Sequence, residues 1–156
     1  MDDGNQIGTQ IGVGVYTTPN PGGWKGSPGS WYCVILADSD ALDRVSKAWV
    51  PENYGGYRLW NRIEDIDSYI QNVLNWTWDP AKTLRMSIID GDPEQLQLLI
   101  PPGLLSSNGG DMGIVAICDP TLNSLPSQIV DYDSWQNNIG GGPDGPVPRR
   151  YLALDT

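Results

Sequence analysis

One stretch of this chain repeats its apolar residues at helical spacing. Across residues 62–75, Ile63, Ile66, Ile70, Val73 and Leu74 recur three or four positions apart, the period of a helix that buries one stripe. Asn61 is placed to act as N-cap, Glu64 follows three residues on as in a capping box, and Asp65 and Asp67 suit the positive end of the helix. Elsewhere the apolar residues come in short runs closed by turn residues, with 19 Gly and 13 Pro in the chain. A chain with one solid helix, a marginal one and roughly seven short strands packs as a single α+β domain, not as a wound parallel sheet.

The strands are expected at residues 11–18, 31–37, 48–50, 57–60, 83–89, 96–100 and 113–118, with an edge strand at 128–132 and a returning strand at 149–154. Residues 31–37 form the longest unbroken apolar run, which predicts burial on both faces. The marginal helix is expected at 39–47, capped by Ser39 or Asp40. Asp90-Gly91-Asp92-Pro93 turns the chain, and Pro101-Pro102-Gly103 stops the strand before it. Residues 1–139 read as the domain proper, and 140–156 as a Gly/Pro-rich loop and C-terminal strand belonging to it. The length of 156 residues suits one such unit.

Composition removes several kinds of chemistry. There is no His, so Ser-His-Asp and Cys-His nucleophile pairs are excluded, as are nearly all zinc sites. With two cysteines, a cysteine-only zinc site is excluded too, and no metal site is expected. The net charge of −10 repels phosphate backbones and anionic membrane surfaces, so neither nucleic acid nor membrane is an expected partner. No apolar run approaches the roughly 18 residues a bilayer requires. The acidic start Met1-Asp2-Asp3 is unlike a signal peptide. An extracellular setting, which is favoured, therefore requires that an address has been removed.

Cys33 and Cys118 each lie in an apolar run and read as two small buried hydrophobes, with a disulfide as the alternative. Asn75-Trp76-Thr77 matches the N-glycosylation pattern, which a chain of this length meets by chance about once, and it is read as chance. Asp90-Gly91-Asp92 lacks the ligand series of a calcium loop. Gly12-Val13-Gly14 runs into Thr17-Thr18-Pro19, so it is not a dinucleotide turn of the Rossmann kind.

Two segments together carry a more specific likeness. Gly12-Val13-Gly14-Val15-Tyr16-Thr17-Thr18-Pro19 resembles the second-motif strand of ADP-ribosyltransferases of the diphtheria-toxin and poly-ADP-ribose polymerase type. Gln95-Leu96-Gln97-Leu98-Leu99-Ile100-Pro101-Pro102-Gly103 resembles the late strand of that family, written Gln/Glu-x-Glu before three apolar residues and Pro-Pro-Gly. The register through residues 46–51 and 81–85 is also similar to that of proteins from mushroom-forming fungi.

The resemblance implies a split antiparallel sheet that binds NAD as a substrate, with ADP-ribosyl transfer to a protein acceptor or NAD hydrolysis as the reaction. Tyr16 would be the shelf for the nicotinamide ring, Gly14 would let the backbone approach it, and Thr17 or Thr18 would bond the ribose. The family's carboxylate, which stabilises positive charge building on the ribose, falls on Gln97, which carries none. Glu94 is a nearby acid, three residues earlier, and faces the other way if the strand runs that far. The family's first motif, an Arg or His well before the glycines, has no counterpart there; Arg149-Arg150 is a candidate substitute.

Two other functions suit the residues. Trp24, Trp31, Trp76, Trp78 and Trp135 lie in or beside loops, as a carbohydrate-binding module would have them. A pseudoenzyme or protein-interaction domain would explain Gln97 and the missing first motif.

Overall fold

Strands within most of the expected segments and the single helical stripe are both realised, in a computed structural model that describes residues 9–23, 26–106 and 110–147. In chain order the elements are β1 (Val15–Thr17), β2 (Tyr32–Leu36), α1 (Ser39–Arg44), β3 (Lys47–Trp49), β4 (Asn53–Tyr54), β5 (Tyr57–Arg58), α2 (Ile63–Tyr69), β6 (Leu84–Ile89), β7 (Asp92–Ile100), β8 (Val115–Asp119) and β9 (Ile139–Gly140). The α+β class holds.

Five strands make the main sheet, in the order β1-β7-β6-β3-β9. β6 and β7 form a hairpin in which Ile89 opposes Asp92, leaving Asp90 and Gly91 as the connection. Gly91 takes the positive φ (82°) that this tight connection needs. β1 adds antiparallel to β7, with Tyr16 opposite Leu99. The far half of the sheet departs from the expected antiparallel arrangement: β3 runs parallel to both β6 and β9, so the sheet is mixed. α2 and the turns after it make the crossover that a parallel β3–β6 pair requires.

Side-chain alternation gives this sheet two buried faces. Ala48 and Leu99 meet Ile66, Tyr69 and Ile70 of the helical segment, together with Ile11, Val50, Leu59 and Trp60. Trp49, Leu84, Met86, Leu98 and Ile100 meet Ala41 of α1 and Leu104, Met112 and Tyr132 from three short 3-10 turns. Burial on both sides explains why the first four residues of β6 are buried without a break.

The helices differ from expectation at their ends. α1 is capped one residue earlier, by Asp38, whose Oδ1 accepts from the Ala41 N–H at 2.9 Å. Beyond its other end the buried Lys47 Nζ donates to the carbonyls of Leu42 and Val45, each at 2.7 Å, and of Asp43 at 3.3 Å. Asn61 does not cap α2: it sits at φ 67°, outside the extended region an N-cap adopts, and Arg62 opens the helix without a side-chain bond. From Ile70 to Leu74 the helix widens into a π turn. Ile66 and Ile70 are fully buried as expected, whereas Ile63 is exposed.

Residues 31–37 do not form a core strand. Among the described residues β2 pairs with β8 alone, as a two-stranded ribbon outside the main sheet. Ile35 packs on the second core, while Leu36, Val115 and Ile117 stay exposed. Cys33 stands opposite Cys118 in this ribbon, and the two are joined in a disulfide, not buried as separate thiols. Residues 128–132 are not a strand either; the Val130 N–H donates to the Pro19 carbonyl, and the segment then enters a 3-10 turn at Tyr132–Ser134. β9 ties residues 139 and 140 to β3. The expected strand at 149–154 and the candidate Arg149-Arg150 lie outside the described residues, as does Trp24.

Candidate functional site

The pairing registers set Tyr16, Leu99, Arg85 and Ala48 in one row across four strands, and Gln97 and Ser87 in the next row on the same face. The strands of Tyr16 and Gln97 are therefore adjacent, and their side chains share a face. What lies on that face is a set of internal hydrogen bonds.

Gln97 is 2% exposed. Its Nε2 donates to Gln10 Oε1 at 2.9 Å and to Ser87 Oγ at 3.0 Å. Backbone atoms fix which way Gln10 points: its Nε2 donates to the Ile88 carbonyl at 2.7 Å, and its Oε1 accepts from the Asp90 N–H at 2.9 Å. Gln10 Oε1 thus requires a donor from its remaining neighbour, and the carboxamide of Gln97 supplies one. A carboxylate at position 97 could not. Glu94 lies on β7, exposed, between Asp92 and Leu96, where the register with β6 shifts.

Tyr16 closes a second set of bonds. Its hydroxyl donates to the Gly12 carbonyl at 2.7 Å and accepts from the Ile11 N–H at 3.1 Å. Burial raises its pKa above the ordinary tyrosine value, so the hydroxyl keeps the proton it donates. The ring packs against the core beneath α2.

The two glycines before it serve close approach within the protein. A Cβ on Gly14 would collide with the carbonyl oxygen of Ile100, and one on Gly12 would come within 2.8 Å of Arg85 Nη1. Thr17 Oγ1 donates to the Leu98 carbonyl across the strand at 3.2 Å, and Thr18 Oγ1 donates to the Asn20 carbonyl at 3.0 Å.

Arg85 is the centre that sequence reading passed over. Its side chain is 5% exposed, and Nη2 meets Asp67 Oδ1 at 2.6 Å. Nη2 also donates to the Pro80 carbonyl at 3.0 Å, and Nη1 to the Ile11 carbonyl at 3.1 Å. One guanidinium thereby joins the N-terminal segment, α2 and the approach to β6. In the sequence, Arg85 and Ser87 alternate with Leu84, Met86 and Ile88, the pattern of a strand with one wet face. Only the covering α2 layer makes that face interior. Gln10 carried no signal, because it lies outside every motif.

Of the five loop tryptophans, Trp31 and Trp76 are 65% and 81% exposed. Trp78 and Trp135 pack against the two cores instead. Among the described residues no group of three or more acidic or thiol side chains is placed to hold a metal, and no helix is long and apolar enough to cross a membrane.

A mixed sheet with one helical layer, a disulfide ribbon and a buried amide cluster define an α+β domain of the family described as a family of unknown function, DUF5910. That family matches residues 9–142, and the chain belongs to it. No curated protein and no solved structure matches it.

Proposed function

We propose that this chain is an ADP-ribosyltransferase-like domain that no longer cleaves NAD and acts by binding. The likeness to that family is supported by the adjacency of the Tyr16 and Gln97 strands and by the shared face of the two side chains. Loss of turnover is carried by one observation. At the position where the reaction needs a negative charge, Gln97 is buried and commits its amide to Gln10 and Ser87. A neutral amide brings no negative charge to a developing ribosyl cation, and the contact with Gln10 Oε1 takes a donor that an ionised acid would not supply.

Calorimetric titration of NAD into the chain, beside Tyr16→Ala, tests this. Little or no heat at millimolar NAD in either protein fits a domain with another ligand. Binding by the wild type that Tyr16→Ala abolishes would open the nicotinamide shelf again and require turnover to be assayed.

A second reading, an extracellular carbohydrate-binding module, is favoured by the exposed rings of Trp31 and Tyr57, at 65% and 70%. Such rings offer apolar faces to sugars. Quenching or shift of tryptophan emission by soluble oligosaccharides, lost in Trp31→Ala, would support it.

A further inference from the structure

The structure assigns a covalent modification site to Asn75, as acceptor of an N-linked oligosaccharide. Asn75-Trp76-Thr77 is the single Asn-x-Ser/Thr triplet in the chain. It lies where the π turn Ile70–Leu74 ends, and Asn75 is the residue that leaves the helix, at φ −160°. The turn faces solvent: Trp76 is 81% exposed.

The side chain is held in a defined orientation. Asn75 Oδ1 accepts from the Thr77 N–H at 3.0 Å and from the Thr77 hydroxyl at 2.6 Å. Both contacts draw the carbonyl side of the amide back into the turn. Nδ2, on the other side, takes no hydrogen-bond partner among the described residues.

The turn alone does not call for an amide. Aspartate makes the same contact to a backbone N–H two residues on at Asp79, Asp119 and Asp131. Only at residues 75–77 does such a turn combine asparagine with the hydroxyl at the third residue that the transfer reaction requires; Asp119-Pro120-Thr121 has the hydroxyl without the amide.

A second observation places the chain where this chemistry occurs. Cys33 and Cys118 are both exposed yet joined in a disulfide, a bond that persists in the oxidising compartments of the secretory route. There, Nδ2 attacks C1 of the first sugar of a lipid-linked pyrophosphate donor. The N–C bond forms as the bond from C1 to the pyrophosphate oxygen breaks. The pyrophosphate leaves with the electron pair, and the amide proton passes to a base on the transferase.

The full chain, translated behind a cleavable leader into eukaryotic microsomes, tests the assignment on the protease-protected product. The protected chain is expected to run heavier by one glycan and to collapse to the bare mass on treatment with an amidase that cleaves the Asn–sugar bond. That treatment should leave Asp at position 75. Asn75→Gln and Thr77→Ala should lose the heavier form, and Thr77→Ser should keep it, so that a sequon effect is separated from a folding defect. A protected wild-type chain wholly at its bare mass would overturn the proposal, as would a heavier form that survives Asn75→Gln.

Discussion

Gln97 and Gln10, 87 residues apart in sequence, share a 2.9 Å hydrogen bond in the interior, and two backbone groups dictate which of them donates. This pair joins the segment before β1 to the β6–β7 hairpin. It also gives Gln97 a structural role at the position where the proposed resemblance would have a catalytic carboxylate.

Gln97→Glu is expected to lower stability by about 2–4 kcal/mol near neutral pH, because a buried carboxylate would face Gln10 Oε1 without a proton to share. Protonating the new acid restores a donor, so the loss should shrink as pH falls. Gln97→Met leaves Gln10 Oε1 its bond from Asp90 and should cost less, about 1–2 kcal/mol. Urea melts of the three proteins at two pH values check both the order and the pH trend.

Arg85→Met should cost about 3–5 kcal/mol, since it removes three hydrogen bonds and leaves carbonyls of Ile11 and Pro80 unmet. Asp67 is 42% exposed on its side chain, so Asp67→Asn should cost only about 1 kcal/mol. Equal losses from the two would show that the ion pair, and not the carbonyl contacts, is what Arg85 contributes.

Gly14 and Gly91 both take positive φ, yet they differ in surroundings. A Cβ at Gly14 meets the Ile100 carbonyl oxygen, whereas one at Gly91 meets nothing within 4 Å. Gly14→Ala should therefore cost more than about 3 kcal/mol by prising β1 from β7, and Gly91→Ala only about 1–2 kcal/mol of backbone strain. Thermal melts of the two variants give the comparison directly.

Reduction of the Cys33–Cys118 bond, which spans 85 residues, should cost about 4–5 kcal/mol by freeing the unfolded chain. In a domain of this size that corresponds to a fall in Tm of roughly 10–15 °C. Melting with and without reductant, beside the Cys33→Ala/Cys118→Ala double variant, measures it. The reduced wild type and the double variant should agree.

Much of the fold was legible because local signals were strong. Asp90-Gly91 placed the hairpin between β6 and β7, Pro101-Pro102-Gly103 ended β7, and the Ile66/Ile70 stripe marked the helix. What escaped was set by distant partners. The apolar run at 31–37 looked like a core strand, but among the described residues its ladder partner is β8 alone, and Leu36, Val115 and Ile117 of this ribbon are exposed. The parallel pairing of β3 with β6 and β9 depends on a crossover that no local motif encodes. Arg85 and Ser87 alternate with apolar neighbours, and their burial comes from distant partners: Asp67 of α2 for Arg85, Gln10 and Gln97 for Ser87. Tyr16 and Gln97 were singled out by motif likeness, while the partners of Gln97, Gln10 and Ser87, were not, because hydrogen bonds across 87 or 10 residues leave no spacing to read.

Nicotinamide release is the most direct test of the proposed ADP-ribosyltransferase-like domain without turnover. Wild type and Gln97→Glu, incubated with millimolar NAD and followed by chromatography for free nicotinamide, should both match the spontaneous rate of a protein-free blank. Release above that blank by the wild type would contradict the account, because the buried amide of Gln97 would then be compatible with turnover.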